Sequence, residues 1–461
     1  MSNQIQSAAS ARARFVSLVL AVAFAVVLFG APASAQVVSV PGGSEAAAPA
    51  RAFLEELVSG RYAEAYARFD GMIRSELPME AIRDTWKQVV TQNGEVRRFG
   101  PAEEDESNGL SVTVPTWFER DSLKIVVFLT PKSEVGGFVV RAWTLPSDIG
   151  PIDPPYADPK SFLEEEIEIG KAPFVLPGTL ALPLTRDGSQ RRSNLPAVLL
   201  LHGSGPNDRD ETIGPNRPLL DLAWGLASRG VVVLRYDKRT RLHGSLLDPL
   251  RVTIDEEVLE DAQLGLDLLL ARPEVDRRRV YVVGHSLGAT VAPLVAAGRP
   301  GLAGIAMLAA AARPFPALMD SQLRYLANLE PDSAKAAQLR EYAQKSRALL
   351  LSETPDSVMV LGLSAYYSRD LERRNPLKTA ARLDLPMLFI QGGRDFQVTL
   401  QDFDAWQAEL GQKDDVTFRL FPDLDHLLLS GSGPSSPADY QKPSNVDVRV
   451  IEEVAKFVGG E

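Results

Sequence analysis

The sequence predicts a two-part chain: a mostly parallel α/β sheet with helices on both faces and a helical cap insertion, preceded by a small α+β domain. Three observations predict it. Beyond residue 160, short apolar runs alternate with stretches of helical periodicity, the signature of parallel strands joined by crossover helices. Before residue 146 the order is instead helices followed by consecutive strands, as in an α+β unit. Between the two, residues 146–159 hold five prolines and no periodicity, which reads as a linker over 146–160.

The chain starts with Arg12 and Arg14, an apolar run of 15 residues over 15–29 broken only by Ser17, and then Ala33-Ser34-Ala35. That is the pattern of a cleavable export signal over 1–35, cut after Ala35; a spanning helix needs about 20 apolar residues. Cleavage takes the formal charge from −11 to −13. No later stretch is apolar enough to span a bilayer, so the sequence predicts an exported chain, in the periplasm or the medium, with no stable membrane insertion. Residues 36–49 are small and Pro/Gly-rich and read as a flexible lead.

The small domain covers 50–145. Phe53, Leu54, Leu57, Tyr62, Ala65 and Phe69 recur at helical spacing, and 79–90 is a second amphipathic stretch. Residues 110–118, 122–130 and 137–145 are strands rich in Val, Thr, Phe and Trp, bounded by Asn-Gly, Pro-Lys and Gly-Gly turns. Trp117, Phe118 and Trp143 read as core residues rather than a sugar-binding platform.

The second domain covers 161–461. Two edge strands are expected at 161–169 and 179–183, then a buried strand at 197–201, a helix over 219–229 and a strand at 231–235. A helix over 254–271, a strand at 280–283, a helix from Leu287 and a strand at 304–308 follow. The last part holds strands at 386–390 and 416–420 and helices over 405–410 and 446–458. The interruption at 313–382 is helical and carries Leu323, Tyr325, Leu326, Leu339, Tyr342, Leu349, Leu350, Tyr366 and Tyr367. It reads as a cap over the site, shaping a substrate pocket.

Composition narrows the chemistry. With 49 basic against 60 acidic residues and no basic stripe, nucleic acid is excluded as a partner. The absence of cysteine excludes disulfides, thiolate nucleophiles and thiolate metal sites. Four unclustered histidines predict no metal and no cofactor. Asp208, Asp210 and Glu211 read as a solvated acidic loop rather than a cation site, and Asp237, Lys238 and Arg239 as an ion-pair network.

The reactive groups are expected at strand ends. Gly284-His285-Ser286-Leu287-Gly288 stands between an apolar strand and a helix. A serine turned sharply from strand to helix leaves no room for flanking side chains, so glycines are required two residues before and after it. A neutral hydroxyl needs a base to take its proton. His202, His243 and His285 precede Ser286, so in the order serine, acid, histidine the base is His426. The orienting acid is Asp395, which follows a buried strand and Gly392-Gly393 and lies 31 residues before His426; its rivals are Asp404, Asp423 and Asp425. The segment His202-Gly203-Ser204-Gly205-Pro206 after the 197–201 strand supplies oxyanion donors. The backbone N–H groups of Leu287 and Ser204 are preferred there, with Gly205 second.

Those segments, with Asn207-Asp208-Arg209-Asp210 and Leu234-Arg235-Tyr236-Asp237-Lys238-Arg239, resemble the α/β-hydrolase superfamily over residues 161–461. The resemblance is to its secreted bacterial esterase-like branch, related to serine aminopeptidases and dienelactone hydrolases. Residues 50–145 resemble a small domain of unknown function that precedes such hydrolases. Serine at 286 departs from true dienelactone hydrolases, which use cysteine, and from haloalkane dehalogenases, which use aspartate. The resemblance implies a serine hydrolase cleaving carboxylic esters of a small-molecule or acylated substrate. Amide, peptide or thioester hydrolysis and acyl transfer share the same groups. A non-catalytic binding protein of the cell envelope is the remaining alternative.

Overall fold

The computed structural model describes residues 47–460 apart from 77, 105–110, 120–121, 131, 143–151, 186–187, 189, 249, 349–353, 357 and 361–362. The expected signal segment over 1–35, most of the lead after it, Trp143, the first half of the linker, and Leu349 and Leu350 lie outside the described residues. The chain falls into two compact units, Met1–Leu145 and Pro146–Glu461.

In the first unit, Ala48–Val58, Tyr62–Ala67, Gly71–Glu76 and Met79–Asn93 are helices. Ser111–Phe118 pairs antiparallel with Ser122–Leu129, which pairs with Val135–Ala142; Val96–Phe99 and Glu103–Glu104 add to the free side of the first. Along Ser111–Phe118, Val112 and Val114 are fully buried, the pleat's period-two alternation. They share a core with Phe53, Leu57, Trp86, Ile125 and Val127. Phe118 is buried with them. Trp117, read as core, is half-buried, with the Arg98 guanidinium 3.4 Å over its ring, because its place in the strand turns it to the other face.

The second unit is built on an eight-stranded sheet in the spatial order Val416–Phe421, Met387–Gly392, Gly304–Leu308, Val275–His285, Leu195–Leu201, Val232–Tyr236, Phe174–Pro183, Phe162–Lys171. The first six run parallel, and the last two form an antiparallel hairpin on the Val232–Tyr236 strand. Leu195–Leu201 is buried along its whole length, as a strand covered on both faces must be. One face packs the helices Glu260–Ala271 and Leu287–Ala297 through residues such as Leu199, Leu266 and Val291; the other packs Pro218–Ala227 and Val448–Val458 through Val198, Leu222 and Ile451. Only Phe162–Lys171 is an edge on its side, so the 179–183 segment, expected at an edge, is internal. The true edge carries Glu164, Glu165 and Glu166, paired with Arg235 (2.6 Å), Arg272 (3.0 Å) and Arg209 (2.6 Å). Charge on an edge strand discourages pairing with another chain.

Between the strands Gly304–Leu308 and Met387–Gly392 the chain inserts the helices Phe315–Leu329, Ser333–Ala348, Ala365–Arg374 and Pro376–Arg382. Among the described residues no helix is long and apolar enough to cross a membrane.

Candidate functional site

The carboxyl ends of four parallel strands carry the residues singled out above. Ser286 follows Val275–His285 and caps the helix Leu287–Ala297 with φ 53° and ψ −114°, a left-handed conformation a non-glycine residue holds only under tertiary constraint. The flanking glycines explain how. A Cβ on Gly284 would lie 2.3 Å from the Gly288 carbonyl carbon, and one on Gly288 would lie 2.4 Å from the Leu201 oxygen. The turn is closed onto itself and onto the neighbouring strand.

His426 lies in the loop after Val416–Phe421 and is 4% exposed. Its Nε2 is 3.1 Å from Ser286 Oγ and its Nδ1 is 2.7 Å from Asp395 Oδ2. Asp395 follows Met387–Gly392 and is also buried. Its Oδ1 accepts the N–H groups of Gln397 (2.8 Å) and Val398 (2.9 Å), and Gln391 Nε2 lies 3.3 Å from Oδ2. With Oδ1 taken by backbone donors, Oδ2 faces the imidazole. Gly392 and Gly393 do more than turn the chain. A Cβ on either would strike Leu424 O (2.4 Å) or Pro422 Cα (2.7 Å), so they let the Asp395 loop press against the His426 loop.

The rival acids sit elsewhere. Asp404 is exposed, and Asp423 pairs with Arg449 at 2.6 Å. Asp425 Oδ1 accepts the N–H groups of Leu427 and Leu429 and so braces the loop that carries His426.

Ser204 and Leu287 line one pocket of about 130 Å³ together with Ser286 and Gly205. Leu287 is the first residue of its helix, where N–H groups have no intrahelical acceptor and the helix dipole favours negative charge. Asn207 Nδ2 donates to the carbonyl oxygens of Gly203 and Ser204, both at 3.1 Å, which ties down those two carbonyls. Inserted residues Phe315, Leu318, Met319, Leu363 and Leu371 supply apolar wall. Two charged residues also line the pocket, and both are matched: Arg313 by buried Asp402 at 2.7 Å and Glu257 by Lys238 at 2.7 Å.

The other histidines differ in setting. His202 is buried edge-on to Tyr236, with ring centroids 5.2 Å apart, and among the described residues neither ring nitrogen has a partner. Burial and the nearby Lys238 charge push its pKa down to about 4, so it is neutral at pH 7. His243 Nε2 lies 2.9 Å from the Val175 oxygen. His285 meets Glu211, which is 2% exposed. Glu211 is therefore no part of a solvated acidic loop; its partner lies 74 residues away in sequence, so the spacing carried no sign of the pairing. Asp237, Lys238 and Arg239 pair with Arg209, Glu257 and Asp261. Among the described residues no group of three or more His, Asp or Glu side chains converges as metal ligands would.

Chemically, the arrangement is a hydroxyl, an imidazole and a carboxylate in one hydrogen-bonded row, of which the hydroxyl-bearing Ser286 lines a largely apolar pocket. The sequence matches the profile of a family described as the alpha/beta hydrolase family over residues 198–440. It is 37% identical over 410 residues to a Thermotoga maritima protein named Esterase EstD, covering 88% of this chain and 93% of that one. Among solved structures, it is similar to the Pyrococcus furiosus esterase Pf2001, with 15% identity, TM-score 0.40, and 65% of this chain and 93% of that one covered. It is likewise similar to a Pyrococcus horikoshii acylaminoacyl peptidase, with 13% identity, TM-score 0.43, and 80% and 57% covered.

Proposed function

The chain belongs to the alpha/beta hydrolase family, and from that premise we propose that it is an exported serine hydrolase that cleaves carboxylic esters through an acyl-enzyme on Ser286. The observation that carries this reading is the row Ser286 Oγ, His426 Nε2, His426 Nδ1, Asp395 Oδ2, with gaps of 3.1 and 2.7 Å across the two hydrogen bonds. The esterase relative, matched over most of both chains, supports an ester as the acyl compound.

In this mechanism His426 carries its proton on Nδ1, where it is donated to Asp395, so the lone pair of Nε2 faces the serine hydroxyl. Ser286 Oγ attacks the ester carbonyl as Nε2 takes its proton, and the carbonyl oxygen becomes an oxyanion held by the N–H groups of Leu287 and Ser204. Collapse breaks the bond to the alkoxy oxygen, which leaves as the alcohol with the proton from Nε2. Water then attacks the acyl-serine, gives a proton to Nε2, and the carboxylic acid departs as Ser286 regains its hydrogen. Asp395 keeps the ring's orientation and stabilises the imidazolium formed in each half.

The pocket supports a further detail. Its wall is apolar and its charges are internally paired, which fits an uncharged acyl group; a cavity of about 150 Å³ lined by apolar side chains holds a benzene-sized group. Export rests on the pattern over residues 1–35, and a secreted product beginning at Gln36 is its check.

The test is a fluorophosphonate probe followed by a panel of short-chain and long-chain esters, thioesters and aminoacyl amides. The proposal requires stoichiometric labelling at Ser286 and the highest kcat/KM on uncharged esters. Labelling elsewhere, or none, overturns it.

A further inference from the structure

The row of reacting groups does not use Glu211 or His285, yet both are buried beside it. Glu211 lies in the loop after Leu195–Leu201 and holds a left-handed backbone, φ 54°, unusual for a residue with a long side chain. Its Oε1 accepts the Gly203 N–H at 2.7 Å, and both of its oxygens lie 3.0 Å from His285 Nδ1. The other ring nitrogen, Nε2, lies 2.8 Å from the carbonyl oxygen of His426. A carbonyl oxygen can only accept, and so can a carboxylate. Both nitrogens of His285 are therefore donors, which makes the ring an imidazolium.

The three segments it joins are those that carry the chemistry. Gly203 adjoins Ser204 in the oxyanion loop, His285 adjoins Ser286, and His426 is itself the bonded residue. The fit is tight: a Cβ on Gly203 would lie 2.5 Å from Glu211 Oε1 and 3.2 Å from Ser286 Cβ. We propose that the Glu211–His285 pair is a positioning device for hydrolysis, in which one buried imidazolium held by one carboxylate sets the spacing of the oxyanion loop, the Ser286 turn and the His426 loop. This rests on the reading of Ser286 and His426 as the reacting groups.

The pair's charge balance matters as well as its bonds. A bare carboxylate beside the oxyanion loop would oppose the negative charge developing there, and an adjoining imidazolium cancels it. The groups facing His285 are the Glu211 carboxylate, the Asp395 carboxylate and the His426 ring, whose centroid lies 4.9 Å away. Burial opposes the charged ring, but the charge and hydrogen bond of Glu211, the His426 carbonyl and the Asp395 charge outweigh it and raise the pKa to about 9. Burial likewise pushes Glu211 upward, and the charge and hydrogen bond of His285 reverse this and hold it below the usual carboxylate range.

The first measurement uses the full-length wild-type protein. Side-chain nitrogen NMR of its four histidines, with His285→Gln assigning one ring by its disappearance, should show that ring protonated on both nitrogens at pH 7.5 and titrating near pH 9. A His285 ring neutral at pH 7.5 overturns the proposal, and this readout needs no variant to be active. Next, Glu211→Gln keeps an acceptor for Gly203 but removes the charge. Its kcat on a short ester should fall about 10- to 100-fold with KM changed less than about threefold. The alkaline fall in kcat/KM should also move down by about one pH unit or more. Ser286→Ala, run alongside, separates the two readings: if it still hydrolyses the ester, the assignment of the reacting serine fails. If Ser286→Ala is inactive while Glu211→Gln and His285→Gln keep wild-type kcat and an unmoved alkaline limb, the positioning role fails.

Discussion

Tyr367 Oη donates to Glu257 Oε2 at 2.5 Å, and both residues line the pocket above Ser286. The other oxygen of Glu257 accepts from Lys238 Nζ at 2.7 Å, and the same ammonium donates to the Gly203 carbonyl at 2.8 Å. The inserted helix Ala365–Arg374, the π-helical turn Asp255–Leu259 and the loop over 202–206 are thus joined by one buried polar chain. Tyr367→Phe leaves Glu257 Oε2 without its donor, which costs about 1–3 kcal/mol for a buried polar group. We expect an unfolding free energy lower by that order, read as a lower urea midpoint at unchanged m, and a KM raised more than kcat is lowered, since the pocket wall loosens while the Ser286–His426–Asp395 row is intact. An unchanged KM would mean that the inserted helix does not shape substrate binding.

Ser286→Ala keeps the Cβ, and so the strained turn, while removing the proposed nucleophile. Turnover should fall by about 10⁴-fold or more with folding intact by circular dichroism. Residual activity above a hundredth of wild type points to a different reacting group.

Asp395→Asn should cost about 10⁴-fold in kcat, because an amide donor facing Nδ1 favours the wrong tautomer of His426. Asp404, exposed and outside the hydrogen-bonded row, changed to Asn, should leave kcat within about twofold and stability within about 0.5 kcal/mol, the usual range of stability change for a surface position. Equal losses at the two positions would identify the effect as structural.

Glycine packing around the turn makes a sharp contrast. Gly288→Ala drives a methyl group to 2.4 Å from the Leu201 oxygen and 2.6 Å from the His202 oxygen, whereas a Cβ on Gly244 meets nothing within 4 Å. Expression of soluble, monodisperse protein should fail for Gly288→Ala and match wild type for Gly244→Ala. Well-folded Gly288→Ala would show that the turn has more room than its contacts indicate.

Stability should depend on pH through His285. Its folded pKa of about 9 lies above the ordinary 6.5, so binding of its proton favours the folded state. That contribution is fully present below about pH 6.5 and is lost as pH rises through 9. The urea midpoint of wild type should therefore exceed that of Glu211→Gln at pH 6.5 and lose most of that margin by pH 10. A constant margin would separate the pair's stabilising role from its proton.

How far the sequence revealed all this depended on distance along the chain. Ser286 was legible because strand, glycines and helix adjoin it, and His426 because only one histidine follows Ser286. Asp395 was legible from its strand and paired glycines, although those glycines serve the contact with residues 422–424 more than the turn itself. Glu211 and Glu257 were not legible as buried pairs, since their partners His285 and Tyr367 lie 74 and 110 residues away. The short helix Gly71–Glu76 and the strand Val96–Phe99 were missed for a related reason: at six and four residues they are too brief for periodicity to register.

The inserted helices leave the sheet after Gly304–Leu308 and return before Met387–Gly392, and they bring Phe315, Leu318, Met319, Leu363 and Leu371 to the pocket. None of the groups that make or break bonds in the proposed reaction lies within that excursion. In the proposed reaction, the apolar side chains that would select the acyl group and the side chains that would react are therefore borne by different segments. Those five side chains can be exchanged while the strand-end loops stay as they are, whereas Tyr367, in the same excursion, is tied through Glu257 and Lys238 to the Gly203 carbonyl. A laboratory library restricted to those five side chains would explore substrate range without spending variants on the atoms that perform the cleavage.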